Sequence, residues 1–231
     1  MIRLTSRRAS ADPRRPAERG AAGVEFALVI WPVLLLIFGT MELALLMRDY
    51  VGTSNAVRDA ARVASAAPRQ GNVAGHVGPP PPTGAVASFA FDASQVLAST
   101  GTALNEEDIV DMWVYLANPK GFPAQSVGGW QSDATGDFSG GCPETTCVRY
   151  AWEDDPDGAG PLEGSFGYRA GSWDPSMINA CPNDANSMAV GVYMRVQHDG
   201  LVEFLGIEPE VSDHAVIKFE PLRQGSGSCK P

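Results

Sequence analysis

The stretch GAAGVEFALVIWPVLLLIFGTMELALLM, residues 20–47, decides the fold because it is almost continuously apolar. Phe26 to Met47 alone is 22 residues. At about 1.5 Å per residue, a helix of that length crosses a hydrocarbon core of about 30 Å. A cleavable secretory signal has a shorter apolar core of about 7 to 15 residues. We therefore predict a membrane anchor over about residues 24–47.

The residues before the apolar stretch orient it. Residues 1–20 contain six arginines and two carboxylates, and a basic flank keeps that end of a membrane helix in the cytoplasm. The rest of the chain is then extracytoplasmic. The net charge of the whole chain is -10, so residues 21–231 carry -14. Such an acidic chain disfavours nucleic acid as a partner, because phosphate binding needs a basic surface.

Two carboxylates interrupt the apolar stretch. Glu42 lies near its outer end, where we expect it to reach headgroups or water. Glu25 lies at its start, and a charge in the membrane costs about 2.5 to 3.5 kcal/mol at the centre and less near the interface. Its carboxylate either extends to the headgroups or pairs with an α-amino group created by cleavage after Gly20. The residues alone leave both explanations open.

The helix is predicted to continue beyond the membrane. Small residues recur there at three- and four-residue spacing: Val51, Ser54, Val57, Ala61 and Ala64. The pattern predicts a helix over residues 21–67 that Pro68 ends, with a kink at Pro32. Its small-residue face packs either on a neighbouring membrane helix or on the chain's own soluble domain. Residues 68–86 include four consecutive prolines and are predicted to form a linker.

Residues 87–231 are predicted to form a small α+β domain with a mainly antiparallel sheet of about three to five strands. Asp92 is a candidate cap for a short helix over Ala93–Thr102. Residues 118–187 are rich in Gly, Pro, Asp and Ser and show one strand pattern. Apolar alternation and β-branched or aromatic content predict strands at Ile109–Ala117, Cys147–Trp152, Met188–Gln197 and His214–Glu220.

Four cysteines fall on the predicted extracytoplasmic side: Cys142, Cys147, Cys181 and Cys229. An even number in such a compartment favours disulfides, which would support the loop-rich part of the domain. A zinc site is disfavoured, because no second close Cys or His pair accompanies the first two cysteines. Four cysteines allow three pairings, and the sequence does not choose among them.

The sequence gives little indication of catalysis, a metal or a cofactor. It lacks the common nucleophile, phosphate-binding and zinc-protease motifs, and adjacent His198 and Asp199 would point to opposite faces of a strand. An acidic turn offers a weak calcium site at Asp154, Asp155 and Asp157. Four aromatic side chains could line a glycan surface or stabilise the domain by burial: Trp130, Trp152, Tyr168 and Trp173.

Arg19-Gly20, four small or apolar residues, Glu25-Phe26 and an apolar helix resemble the prepilin-peptidase site of the Tad (tight adherence) pilus system. With the following NAVRDAARVAS at residues 55–65, the stretch resembles the TadE-like pseudopilins, or minor pilins. Parts of the remaining chain are similar to the periplasmic part of that family: residues 92–115, 190–206 and 212–222.

The resemblance implies cleavage by a prepilin peptidase between Gly20 and Ala21, and a role in assembly for Glu25 and Phe26. It also implies a non-enzymatic, single-pass membrane protein, with other Tad pilins and assembly-platform proteins as partners. Residues 1–20 would be a cytoplasmic leader, and the protein would function in pilus assembly and surface adhesion. The alternative is an uncleaved, signal-anchored extracytoplasmic protein that binds a glycan or calcium.

Overall fold

The structure is a computed structural model that describes residues 17–66, 88–99, 104–126, 136–153, 165–181, 186–200 and 209–221. The chain divides into two compact units, Met1–Leu43 and Ala44–Pro231; we call the second the sheet domain. The described residues form two α-helices, five strands and two short 3-10 helices, Glu106–Asp108 and Pro175–Met177. The α-helices and strands are α1 Ala17–Ala66, α2 Ser88–Ser99, β1 Ile109–Ala117, β2 Thr146–Glu153, β3 Ser165–Trp173, β4 Ala189–Gln197 and β5 Glu210–Lys218.

The five strands form one sheet in the order β3-β2-β1-β4-β5. Every neighbouring pair is antiparallel, which confirms the predicted α+β class and the mainly antiparallel sheet. β1 is central: its Met112 lies opposite Tyr150 of β2 and Met194 of β4. Because side chains alternate across a strand, these three share one side of the sheet.

Helices cover that side of the sheet. Along β4 the even-numbered residues Val190 to Val196 are at most 1% exposed, as the alternation in the sequence predicts. They share one apolar core with Phe89 of α2 and with small residues of α1. The small residues are Ala56, Val57, Ala60, Ala61 and Ala64. Short side chains let the helix lie close to the strands, so this face of α1 packs on the chain's own domain.

The small residues of α1 therefore pack on the chain's own domain, the second of the two predicted alternatives. Val57, Ala61 and Ala64 are buried in the core of the sheet domain, whereas Val51 is 55% exposed. α1 is continuous across Pro32 and ends at Ala66. The predicted linker, residues 68–86, lies outside the described residues.

The predicted start of α2 was wrong. The helix begins at Ser88, so Asp92 lies inside it and does not cap it. Phe89 is fully buried and packs edge-on against Trp173 and Phe219, with ring centroids 4.9 and 5.7 Å away. Trp173 ends β3 and Phe219 follows β5, so residues far along the chain pack on the first turn of α2, which local capping signals do not predict.

The predicted loop region hides a second strand, β3, with the sequence SFGYRAGSW. Its glycines obscured the strand pattern, but Gly171 has a φ of +87° and a Cβ there would lie 2.2 Å from the Cys147 carbonyl oxygen. Glycine is thus required by close approach to β2. β5 also differs from the prediction, because it starts four residues earlier and ends at Lys218.

Candidate functional site

The first candidate site is the apolar part of α1. No residue of its most apolar stretch is buried, and in the described part of the chain α1 alone is long and apolar enough to cross a membrane. Phe26 is 68% exposed, Trp31 69% and Leu35 72%. Apolar side chains in such numbers are costly in water, at about 25 cal/mol per Å². The helix fits a single-pass membrane protein.

The predicted processing and assembly residues all lie on this helix. Gly20 and Ala21 are inside α1, and Glu25 and Phe26 are both exposed on it. Gly20 precedes Glu25 by five residues, a rise of about 7.5 Å. The helix therefore presents Glu25 at the start of an uncovered apolar surface.

A buried polar contact fixes α1 to the sheet domain. His198 follows β4, and its Nδ1 lies 2.5 Å from Oδ2 of Asp49. The side chains are 1% and 19% exposed. At the far end of this contact surface, the amide of Glu220 donates to the carbonyl of Ser65 at 2.9 Å. The last third of α1 is thus held at both ends.

The sequence analysis did not identify this contact. His198 continues the even-numbered, helix-facing positions of β4, which is the signal that places it on the buried side. Its partner Asp49 is 149 residues away, and no local pattern connects the two. The contact joins α1 to the residue that follows β4.

Carboxylates cluster at the same end of the domain. Burial raises the pKa of Asp108, and the nearby carboxylates of Asp199, Glu107 and Asp49 raise it further. A hydrogen bond from Asn105 Nδ2, at 3.1 Å, opposes the increase. Among the described residues no group of three or more His, Cys, Asp or Glu side chains could hold a metal ion. The carboxylates thus repel one another beside the helix–sheet contact.

Comparison with known families addresses the helix directly. The family described as TadE-like protein matches residues 20–62. The N-terminal region is therefore similar to TadE-like proteins. The matched TadE-like region covers the apolar part of α1 and most of the part that packs on the sheet, and it supports a protein associated with a Tad pilus. No curated protein and no solved structure matches the chain.

The side of the sheet opposite the helices carries an ion-pair network. Asp111 is at its centre, with its side chain 4% exposed. Nε of Arg149 contacts one of its carboxylate oxygens, and Arg195 Nη2 donates to the other at 2.8 Å. Arg195 also lies 3.4 Å from Glu210. The network links β2, β1, β4 and β5, and its two cations balance its two anions.

An aromatic cluster occupies the same side. Phe138 stacks on Tyr193 with a centroid distance of 4.2 Å and contacts Trp113 and Tyr115 edge-on. The Tyr115 hydroxyl donates to the Gly121 carbonyl at 2.8 Å, and burial raises the pKa of this phenol. Phe138 thus packs on three aromatic side chains of the sheet.

Three of the four predicted disulfide cysteines lie in the described residues, and all three are disulfide-bonded. Cys142 and Cys147 form one disulfide, with Cα atoms 5.4 Å apart, and Cys181 is also disulfide-bonded. Cys229 lies outside the described residues. The Cys142–Cys147 bond joins the segment that carries Phe138 to β2, so it holds the aromatic cluster in place.

The remaining sequence-predicted residues divide between buried, half-buried and undescribed positions. Trp173 and Tyr168 are buried, at 0% and 6% exposure, which favours burial over a glycan surface, and Trp152 is half-buried. Outside the described residues lie the other aromatic residue and the weak calcium candidates: Trp130, Asp154, Asp155 and Asp157.

Proposed function

We propose that this chain is a minor pilin, or pseudopilin, of a Tad-type pilus. It would be a membrane-anchored, non-enzymatic component of pilus assembly and surface adhesion. One observation carries the proposal: the TadE-like segment, residues 20–62, includes an apolar helix surface that the chain's own described residues leave exposed. A surface of that kind is stabilised by lipid or by other membrane helices.

Processing is the first step of the proposed function. A prepilin peptidase cuts after Gly20 and leaves Ala21 with a free α-amino group. Glu25 is exposed, so its carboxylate is open to an α-amino group of another pilin, and the ion pair would place one subunit against the next. Phe26, the next residue, adds an apolar contact at the same level of the helix.

The two units of the chain have different tasks in this proposal. The anchor keeps the subunit in the membrane, where other Tad pilins and assembly-platform proteins meet it. The basic flank, with arginines in residues 1–20, places the N-terminus in the cytoplasm. The sheet domain then lies outside the cytoplasm, where its disulfides are stable and where it contacts the surface to which the pilus adheres.

The test is the N-terminus of the protein in its native membrane. Mass spectrometry of protein purified from strains with and without the prepilin peptidase should show a start at Ala21 only when the peptidase is present. A Gly20→Leu variant should remain uncut, and a Gly23→Leu variant, three residues further on, should be cut normally. An intact start near Met1 in both strains would contradict processing and favour a permanently anchored binding protein.

A further inference from the structure

β5 forms an edge of the sheet, since in the described part of the chain it pairs with β4 alone. All of its 9 residues are paired, from Glu210 to Lys218, and the register does not shift. Strands in globular proteins commonly have about five or six residues. A long, regular edge strand offers its unpaired amide and carbonyl groups to another chain, and proteins usually protect such an edge.

Two hydrogen bonds at the ends of β5 show which of its amides point away from β4. The amide of His198 donates to the carbonyl of Pro209 at 2.9 Å. At the other end, the amide of Phe219 donates to the carbonyl of Met188 at 3.4 Å. Because the amides of an antiparallel strand point alternately to its two sides, the odd-numbered residues of β5 bond to β4 and the even-numbered ones face the free edge. His214, in the middle of β5, therefore directs its amide outward.

The outward amide of His214 already has an acceptor. It donates to Oδ1 of Asp213, the preceding residue, at 2.8 Å. Asp213 lies opposite Met194 of β4, on the side of the sheet that the helices cover, and its side chain is half-buried. Charged residues at such inward-facing positions are one of the ways in which edge strands are protected. The other residues of β5 on that side are apolar: Val211, Ala215 and Ile217.

An added strand would have to break the contact between Asp213 and the His214 amide. To continue the ladder, the amide must donate to a carbonyl of the new strand, and Asp213 then loses its donor. The new strand would also remove water from the carboxylate. An ionised group that loses both a hydrogen bond and its hydration strongly disfavours the paired state.

The opposite edge of the sheet, β3, differs in being irregular. Its pairing with β2 shifts register between Arg149 and Tyr150, and irregularities of this kind bend and twist an edge strand away from a partner. β5 has no register shift. Its exposed charges, Glu210 and Lys218, lie at its two ends, so the contact at Asp213 protects its middle.

We propose that Asp213 prevents the sheet of one copy from extending into the sheet of another, by holding the His214 amide and by placing a carboxylate beside the free edge of β5. This role of Asp213 requires neither the membrane span nor cleavage after Gly20. It is therefore separate from the proposed function.

Sedimentation velocity of the full-length protein in lipid nanodiscs tests this role. Each disc holds one copy, so the apolar helices of different copies do not meet and only parts outside the bilayer can associate. The wild type should sediment as single discs. Asp213→Val should pair with an affinity at least about ten-fold above that of the wild type, because valine has no charge to desolvate and releases the His214 amide.

Two further variants identify the edge of β5 as the contact. Glu210→Val makes the same change of charge at the end of the strand but leaves the Asp213 contact in place, so these discs should remain single. Ser212→Pro removes an outward amide, a change that edge strands tolerate. Combined with Asp213→Val, it should restore single discs. Circular dichroism melting confirms that each variant is folded.

Hydrogen exchange in the wild type tests the contact without any substitution. The amides of Ser212 and His214 both face the free edge, but His214 donates to the Asp213 carboxylate. After correction for intrinsic rates, the His214 amide should exchange at least about ten-fold more slowly than the Ser212 amide.

Several results would overturn the proposal. Single discs for a folded Asp213→Val variant would show that the carboxylate does not protect the edge. Equal pairing of Glu210→Val would assign the effect to net charge, and pairing that survives Ser212→Pro would place the contact elsewhere on the domain. Equal exchange of the two amides would remove the contact at His214, whether or not Asp213→Val folds.

Discussion

At the scale of single residues, the contact between His198 and Asp49 shows how one side chain fixes a helix. The imidazole is almost fully buried, and the carboxylate is largely so. Breaking a buried polar pair by removing one partner leaves the other without compensation for its lost hydration. The contact therefore stabilises one position of α1 on the sheet as well as the fold itself.

A double-mutant cycle tests that contact. We expect Asp49→Ala and His198→Ala each to lower the free energy of unfolding of the sheet domain by about 2 to 4 kcal/mol. The residues are in contact, so the two effects should not add. The decrease in the free energy of unfolding of the double variant should be smaller than the sum of the two single decreases by at least about 1 kcal/mol. Urea unfolding followed by tryptophan fluorescence measures these values. Strict additivity would show that the two side chains are not coupled.

Asp108 gives a prediction on pH dependence. Its pKa is raised in the folded state, so the ionised carboxylate disfavours the fold. The stability linked to its protonated form is fully present below pH 3.8, the ordinary value, and is lost as pH rises through the folded-state pKa. Asp108→Asn should therefore stabilise the domain at pH 7, by less than about 1 kcal/mol because the side chain is only half-buried.

Thermal unfolding from pH 3 to pH 7 measures this difference. The gain from Asp108→Asn should shrink as the pH falls, since wild-type Asp108 becomes protonated. Glu144→Gln is the control, because Glu144 is exposed and lies outside the carboxylate cluster. A gain that is constant across this pH range would show that ionisation of Asp108 is not its cause.

At the scale of elements, the outer side of the sheet depends on contacts between strands. Tyr115 of β1 lies over Gly191 of β4, its cross-strand partner. A Cβ at Gly191 would lie 2.2 Å from Cζ of Tyr115, inside the van der Waals limit. The glycine thus makes room for a ring that the aromatic cluster needs.

Gly191→Ala should destabilise the sheet domain by about 1 to 3 kcal/mol, because the ring of Tyr115 must move out of its packed position. Gly136→Ala is the matched control, since a Cβ there meets nothing within 4 Å; it should change stability by less than about 0.5 kcal/mol. Denaturant midpoints of both variants provide the measurement. Equal midpoints for the two variants would mean that the Tyr115 ring can move without loss of stability.

Strands and helices differed in how far the sequence predicted them. β1 and β4 were predicted because their apolar residues alternate and their composition is β-branched and aromatic. β3 was missed because its glycines obscure the strand pattern. Gly171 is needed where β3 lies close to β2, and no local sequence pattern predicts that contact. In α1, the same small residues suited either a second membrane helix or the sheet, and only the packed core distinguished the two.

At the scale of the whole molecule, the chain combines a first unit with an exposed apolar helix and a second unit with its own core. The division falls at Leu43 and Ala44, inside the continuous helix α1. The core of the sheet domain includes residues of α1 from Ala56 onwards. The described α1 residues of that core all belong to the second unit, so we expect the sheet domain to fold without the first unit.

A chain that starts at Ala44 should remain in solution without detergent and retain a cooperative thermal transition. The full chain should stay in membranes during alkaline extraction, because its exposed apolar helix is stable only there. Removing residues 44–66 as well should abolish the transition, since the sheet would lose one of its covering helices. Circular dichroism melting of the two truncated chains checks this; unfolding of the Ala44 chain would contradict an autonomous domain.

The sequence by itself determined the long apolar helix, the likeness to TadE-like proteins, the α+β class and the positions of the central strands. These depend on hydropathy and on short-range periodicity, which are properties of neighbouring residues. Only the tertiary structure decided which face of α1 is buried, that His198 meets Asp49, that Phe138 fills the aromatic side, and that β3 completes the sheet. Each of these depends on side chains distant in sequence, whose contacts exist only after the chain has folded.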